Sequence, residues 1–239
     1  RLKAIADLVT PGNRLVDVGC DHGYLPVYLV QESIIPSAIA MDVRKGPLER
    51  ARANIRMYGY EAFIKTRMSD GLAELRAGEG ETLVIAGMGG PLMESILAAK
   101  PEVRESFREM ILQPQSDIRH FRVYLQEIGW TIVQETIVVE DGKYYPMMKV
   151  QKRTEVAKKH DGVALPEPEY APEEEWFGRP LLKRQDPVLL ELIQKENRIR
   201  ASILRQLEQQ QSESAQKRIA EVKEEKQIIE AALKHYESI

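Results

Sequence analysis

The run Leu15-Val16-Asp17-Val18-Gly19-Cys20-Asp21-His22-Gly23-Tyr24-Leu25 sets a short apolar strand ahead of a turn with glycines four apart and carboxylates among them. Glycine lets a ligand approach the backbone closely. In an open α/β sheet, the turn after the first strand opens onto the ligand crevice. The acids decide which charge belongs there. A pyrophosphate wants the bare N–H groups of a helix N-terminus, and Asp17 and Asp21 would repel it. A cationic ligand, such as S-adenosylmethionine with its ammonium and sulfonium, would be attracted. The turn therefore favours a methyl donor over a nucleotide phosphate.

Three later strand ends supply companions. The second strand closes on Asp42, where an acid accepts hydrogen bonds from ribose hydroxyls. A dinucleotide site also uses an acid there, so Asp42 alone does not separate the two ligands; the acid-rich first turn and the missing third glycine do. No Gly-Lys-Ser/Thr follows, which excludes a Walker loop. The third strand runs into Ser69-Asp70-Gly71, where Asp70 either bonds an exocyclic amine such as adenine N6 or caps a helix over residues 72–76. The fourth ends in Gly87-Met88-Gly89-Gly90-Pro91, bare backbone beside the crevice with a proline suited to a helix's first turn. Tight helix–strand packing is the other account of those glycines. Methyltransferases of exocyclic amines often carry Asn-Pro-Pro-Tyr at this place; its absence leans toward a ring nitrogen, which has its own lone pair. After the fifth strand, Gln113 and Gln115 flank Pro114. Their amides could read a base edge or cap the next helix.

The elements that must position these residues alternate over residues 1–153. Strands are expected at 14–18, 38–42, 63–67, 82–86 and 109–112, and helices at 25–31, 47–58, 91–100 and 116–128. Two further strands, 130–140 and 143–152, flank Asp141-Gly142, a hairpin signal. Repeated βα units with a terminal hairpin imply an α/β fold, a mostly parallel sheet with one antiparallel strand. Residues 154–186 read as a linker, with Pro166, Pro168, Pro172 and Pro180 among acids and Trp176 and Phe177 as anchors. Residues 187–239 read as an antiparallel helical hairpin. Ala215, Ile219, Val222, Lys226, Ile229, Leu233 and Tyr236 form one heptad seam, and Leu189, Leu192, Ile199 and Ile203 a rougher one. The turn between them is expected within 209–214.

Composition sets the outer bounds. The 239 residues hold one full domain and an appendage, and 43% hydrophobic with 30% charged residues is ordinary for a globular protein. A net charge of −3 means that a polyanion would be met by a local patch rather than by bulk charge. The single cysteine, Cys20, reads as packing and agrees with a reducing cytoplasm. No stretch approaches the roughly 20 apolar residues of a membrane span. The chain begins at Arg1, and no cleavable leader or metal-ligand spacing is visible.

Taken together, Asp17-Val-Gly-Cys-Asp-His-Gly-Tyr-Leu, Ala86-Gly-Met-Gly-Gly, Gln113-Pro-Gln and Asp141-Gly-Lys-Tyr-Tyr-Pro resemble the bacterial tRNA methyltransferases that act on N1 of adenine-22. The first motif is shared by all class I methyltransferases; the other three are more particular. The resemblance implies a Rossmann-like, seven-stranded domain binding S-adenosylmethionine, a C-terminal helical pair, a tRNA substrate and a cytoplasmic enzyme. It implies a donor site of Asp17, Gly19, Asp21, His22, Gly23, Asp42, Asp70 and Gly87, with Gly71 and Met88 beside them.

Adenine N1 would attack the sulfonium methyl in line, after the base is exposed by flipping or local unfolding. Positioning supplies most of the rate, because the donor is already activated. Asp21 and His22 are the conceivable proton acceptors, and Tyr24, Tyr144 and Tyr145 the aromatics that could stack on the base. Phosphate contacts are expected from Arg44, Lys45 and Lys143, with Arg50, Arg52, Arg56, Lys149 and Lys152 nearby. The helical pair offers Arg198, Arg200, Arg205, Lys217 and Arg218. A monomer is expected, with dimerisation through the helical pair left open. Three other functions stay in view: methylation of another RNA or a small molecule, a non-catalytic module that binds partners through its helical arm, and a nucleotide-dependent oxidoreductase.

Overall fold

The computed structural model describes residues 1–156, 159–160, 163–164, 169–210 and 212–237. In chain order the elements are α1 (Leu2–Ala6), β1 (Leu15–Val18), α2 (Tyr24–Gln31), β2 (Ala38–Asp42), α3 (Lys45–Met57), β3 (Ile64–Met68), β4 (Thr82–Met88), α4 (Gly90–Ala99), α5 (Pro101–Arg104), β5 (Glu109–Pro114), α6 (Ile118–Glu127), β6 (Trp130–Glu140) and β7 (Lys143–Lys152). There follow α7 (Arg153–Val156), β8 (Lys159–His160), β9 (Val163–Ala164), α8 (Pro172–Phe177), α9 (Arg179–Lys183), α10 (Pro187–Leu207) and α11 (Glu213–Lys234). The chain divides into two compact units: Arg1–Glu140 with Tyr145–Glu167, and Asp141–Tyr144 with Pro168–Ile239.

The first unit is built on a seven-stranded sheet in the order β3-β2-β1-β4-β5-β7-β6. The first five strands pair in parallel, and β7 runs antiparallel to β5. The fold is the expected α/β class. Strand β4 earns its central place from Leu83, Val84 and Ile85, all buried and apolar on both faces. The β6–β7 hairpin turns at Asp141 and Gly142, both at positive φ (51° and 72°), as a two-residue turn between right-twisted strands requires. Helices α1 and α5 are not among the expected elements. Leu2, Ile5, Ala6 and Val9 have the i, i+3, i+4, i+7 spacing of a helical stripe, and Ile5, Ala6 and Val9 are buried.

Register aligns the carboxyl ends of the central strands. Val18 stands opposite Met41 on β2 and Ile85 on β4, so the turns that leave β1, β2 and β4 open on one edge. Gly19 and Cys20 donate their backbone N–H groups to the Met41 carbonyl at 2.8 and 2.9 Å, tying the first turn to β2. Helix α6 anchors the far side of that edge. Its Arg122 donates to Glu135 on β6 at 2.5 Å, both residues 2% exposed or less. Just before α6, the Ser116 carbonyl accepts from Gly90 N–H at 3.1 Å.

In the second unit, α10 and α11 pack antiparallel. The Gln185 amide donates to the His235 carbonyl at 2.6 Å, and the Tyr236 hydroxyl to the Asp186 carbonyl at 3.0 Å, which brings the outer ends together. Ala215, Val222 and Ile229 of the expected seam are buried, with Ile219, Lys226, Leu233 and Tyr236 half-buried. The α10 seam needs correction: Ile199 is 38% exposed and Ile193 fully buried in its stead. Leu189 and Ile193 lie four apart, one helical turn, whereas the rougher heptad reading skipped Ile193. Residues 172–183, expected as linker, hold α8 and α9. Pro172, Pro180 and Pro187 sit at helix starts, where the missing N–H has no intrahelical partner to lose. Phe177 is buried; Pro166 and Pro168 lie outside the described residues.

Cutting the buried Arg122–Glu135 pair leaves a charge without its partner, so Glu135→Ala should destabilise the protein by about 3–5 kcal/mol. Urea unfolding followed by circular dichroism reads this as a lower midpoint, and an unchanged midpoint would contradict the structural role given to the pair.

Candidate active site

A cavity of about 790 Å³ opens at the carboxyl ends of β1, β2 and β4. Ligand pockets of small molecules span roughly 300–1,000 Å³, so an adenosyl-sized ligand fits. Of the expected donor-site residues, Asp17, Gly19, Asp21, His22, Asp42, Asp70, Gly71, Gly87 and Met88 line it. Gly23 does not. It begins α2 at φ 67°, and a Cβ there would stand 3.2 Å from the Ala51 Cβ. Its role is to let α2 approach α3.

Asp17 and Asp42 are each 6% exposed, at the ends of adjacent strands. Burial, and then the neighbouring Asp42 carboxylate, push the Asp17 carboxyl up to about 7. One Asp42 oxygen accepts the Arg44 backbone N–H at 2.9 Å, which fixes its carboxylate plane. The Arg44 guanidinium stands 4.0 Å away and is largely exposed, too loose to neutralise the pair. Two buried carboxyls facing one cavity are a cation's environment. They fit the ammonium, sulfonium and ribose hydroxyls of S-adenosylmethionine and repel phosphate.

The wall opposite is bare and apolar. Gly19 sits at φ 78°, a conformation that suits glycine, and the Met88 methyl packs against it, 2.4 Å from where a Cβ would stand, so the end of β4 meets the turn after β1. Met88, Leu92 and Ile96 line this side, and α1 closes the rim with Leu2 and Ile5. The helical stripe at 2–9 and the spacing Leu92–Ile96 were the signals available for these four. Cys20, buried beside Asp17, has a thiol pushed well above its usual range by burial, as packing demands.

Asp70 points into the cavity as a strand-end acid without a helix to cap. Residues 71–74 form a turn rather than a helix, held by the Ser69 hydroxyl, which donates to Gly71 O at 2.9 Å and accepts from Glu74 N–H at 3.1 Å. The catalytic candidates sit at the mouth. Asp21, at φ 44° and 58% exposed, pairs with Arg50 at 2.8 Å and stands 3.6 Å from His22 Nε2. The rings of His22 and Tyr24 stack, 5.3 Å apart and 7° from parallel, and Tyr24 is 50% exposed.

The expected RNA contacts separate. Arg44 and Gln115 reach the cavity, and so does Gln113, but the Gln113 amide is committed within the chain. It accepts from Gly87 N–H at 3.1 Å and donates to the Pro114 carbonyl at 3.0 Å. Gln113 shapes the glycine loop from a buried position, with each end of its amide already engaged. Lys45 lies outside the cavity, 3.6 Å from Glu49. Arg52 and Arg56 bond Thr66 and Glu61 at 2.8 and 3.0 Å. Lys149 is engaged with Glu109 at 3.0 Å on the sheet, removed from a phosphate role. Tyr145 is packed against the core under Arg1, whose guanidinium lies 4.9 Å from the ring. Tyr144 belongs to the second unit, with the Lys195 ammonium 5.2 Å from its ring and Lys143 beside it in sequence.

Residues 1–148 match the methyltransferase domain family. The tRNA (adenine(22)-N(1))-methyltransferase of Bacillus subtilis is 33% identical over 165 residues, spanning 69% of this chain and 69% of that one. The chain belongs to the tRNA (adenine-22-N1)-methyltransferase family. Solved structures of family size carry the likeness across its length. A Streptococcus pneumoniae protein in complex with S-adenosyl-L-methionine is 30% identical, with a TM-score of 0.82 and 98% of both chains covered. The B. subtilis m1A22 tRNA methyltransferase TrmK is 28% identical, with a TM-score of 0.79 and 97% of both chains covered. The likeness read from four motifs and the family found by comparison agree.

Two measurements follow for donor binding. Asp42→Ala should weaken S-adenosylmethionine by about 1.5–3 kcal/mol, roughly ten- to 150-fold in Kd; unchanged affinity by calorimetry would remove Asp42 from the site. The Asp17 carboxyl is raised in the free protein, and a bound cation favours its ionised form. Donor affinity should therefore rise with pH up to about 7 and level off above, with proton release on binding below that value. In the ligand-free protein the sign is opposite: neutral Asp17 favours the fold at low pH, and that contribution is lost as pH rises through about 7. A pH-independent Kd between pH 5.5 and 8 would contradict this placement.

Proposed function

We infer that this chain is an S-adenosylmethionine-dependent methyltransferase acting on N1 of adenine 22 in tRNA. What carries the reading is the cavity walled by two buried carboxyls, in a chain one third identical to the adenine-22 enzyme of B. subtilis. When bound, the donor supplies a methyl already activated on sulfonium: the N1–C bond forms as the S–C bond breaks, S-adenosylhomocysteine leaves, and the positive charge passes to the base.

The residues then have definite work. Asp42 accepts from the ribose hydroxyls with the oxygen that Arg44 N–H does not use. Asp17 faces the ammonium and becomes fully ionised against it. Asp70, exposed at the end of β3, accepts from the adenine amine of the donor. Met88, Leu92 and Ile96 keep water from the transferring carbon, which leaves the base nitrogen as the available nucleophile. No general base is required, because N1 attacks as a neutral lone pair, and Asp21 is tied to Arg50. Rate comes from alignment, worth orders of magnitude when reacting atoms are held near contact. The stacked His22–Tyr24 pair at the mouth offers a face for an unstacked base. Arg44 and Lys45, both exposed, suit the phosphates around it. A tRNA substrate is what supports a cytoplasmic location, and no helix among the described residues is long and apolar enough to cross a membrane.

Incubation with unmodified tRNA and S-adenosylmethionine, followed by nucleoside mass spectrometry and mapping, should yield 1-methyladenosine at position 22. Methylation elsewhere would change the acceptor. Calorimetric binding of NAD without S-adenosylmethionine would overturn the enzyme class.

A further inference from the structure

Gln113 and Gln115 flank one proline, yet the fold uses them differently. The Gln113 carboxamide is buried and bonded at both ends, to Gly87 N–H and to Pro114 O. Gln115 is tied only by its backbone, whose N–H donates to the Met88 carbonyl at 2.8 Å. That bond sets its Cα directly across from the glycine loop. Its side chain is exposed, lines the cavity, and makes no hydrogen bond among the described residues. It lies over Gly87, where the amide nitrogen would be 3.6 Å from an added Cβ and Gly87 itself sits at φ 79°. A carboxamide thus hangs over bare backbone with its donor and acceptor both uncommitted.

Its place in the sheet says what it meets. The acids suited to ribose and adenine follow β2 and β3, so the methyl-bearing half of the donor belongs with the turns after β1 and β4. Gln115 follows β5, the next strand outward, on the side from which an acceptor base must come. Resting on the adenine-N1 reading above, we propose that the Gln115 carboxamide reads the Hoogsteen edge of the target adenine, accepting from N6–H and donating to N7. A glutamine makes this bidentate pair with adenine in nucleic-acid recognition generally. Here the choice of edge is forced: a carboxamide on the Watson–Crick edge would occupy N1, the atom that must attack. Pairing to N6 and N7 leaves N1 bare and fixes the ring plane. As N1 gains the methyl group, positive charge spreads onto the N6 amine, whose N–H becomes a stronger donor to the Gln115 oxygen. The contact therefore tightens toward the transition state. Guanine, with oxygen at position 6, would set acceptor against acceptor.

The test is a two-by-two comparison of wild type and Gln115→Ala on two tRNAs, one natural and one with 7-deazaadenosine at position 22. Gln115→Ala should lower kcat/KM on natural tRNA by roughly ten- to hundredfold, mostly in kcat, with S-adenosylmethionine affinity unchanged. That unchanged affinity also shows that the variant is folded. The 7-deaza substitution should slow the wild type several-fold and the variant hardly at all, since the N7 partner is already gone. Equal losses from 7-deaza in both proteins, or full activity of Gln115→Ala, would overturn the Hoogsteen contact while leaving the methyltransferase reading intact. Wild type that leaves natural tRNA unmethylated would overturn both. Should Gln115→Ala fail to bind the donor, the wild type alone decides: a 7-deaza tRNA methylated at the natural rate refutes the proposal, and a slowed one supports it.

Discussion

Two carboxyls, Asp17 and Asp42, are buried on the adjacent strands β1 and β2, near enough that one raises the other's affinity for a proton. Like charges removed from water repel strongly and are desolvated as well, so the free protein relieves the strain by holding a proton on Asp17 near neutrality. A ligand that brings positive charge replaces that proton. Two buried carboxyls favour a ligand that brings positive charge over one that brings phosphate. The acids can be there only because the surrounding sheet is rigid: parallel strands buried on both faces fix their backbones to within the register of a ladder.

The acceptor half depends on backbone rather than charge. The loop after β4 carries Gly89 and Gly90 because Ser116, just before α6, comes close: a Cβ on either would stand 2.9 or 2.8 Å from it. Gln113 and Ser116 hold it by hydrogen bonds to Gly87 and Gly90, and the Arg122–Glu135 pair holds α6. The buried Gln113 and the buried Arg122–Glu135 pair thus fix the two elements, β5 and α6, that flank the glycine loop.

Much of this was legible in the sequence. Strand positions followed from short apolar runs, and the turn acids followed from their place at strand ends, because both are local properties. The misreadings concern partners that local sequence does not name. Gln113 and Gln115 look alike until β5 is seen to extend to Pro114, which buries one and frees the other. Gly23 resembles a ligand glycine, but Ala51, distant in sequence, is what needs the space. Prolines that mark a linker also mark helix starts, and only the packing of Phe177, Leu181 and Leu182 shows that residues 172–183 are helical. Arg50, read as a phosphate contact, is claimed by Asp21 across 29 residues of sequence.

The central claim is that the free site holds Asp17 partly protonated until a cation arrives. Carbon-13 NMR of labelled aspartate carboxyls, titrated without ligand and again with saturating S-adenosylmethionine, measures this directly. Asp17 should titrate near pH 7 in the free protein and drop well into the acid range when the donor is bound. An Asp17 resonance that titrates in the ordinary carboxylate range in the free protein, and does not move on binding, would contradict the account.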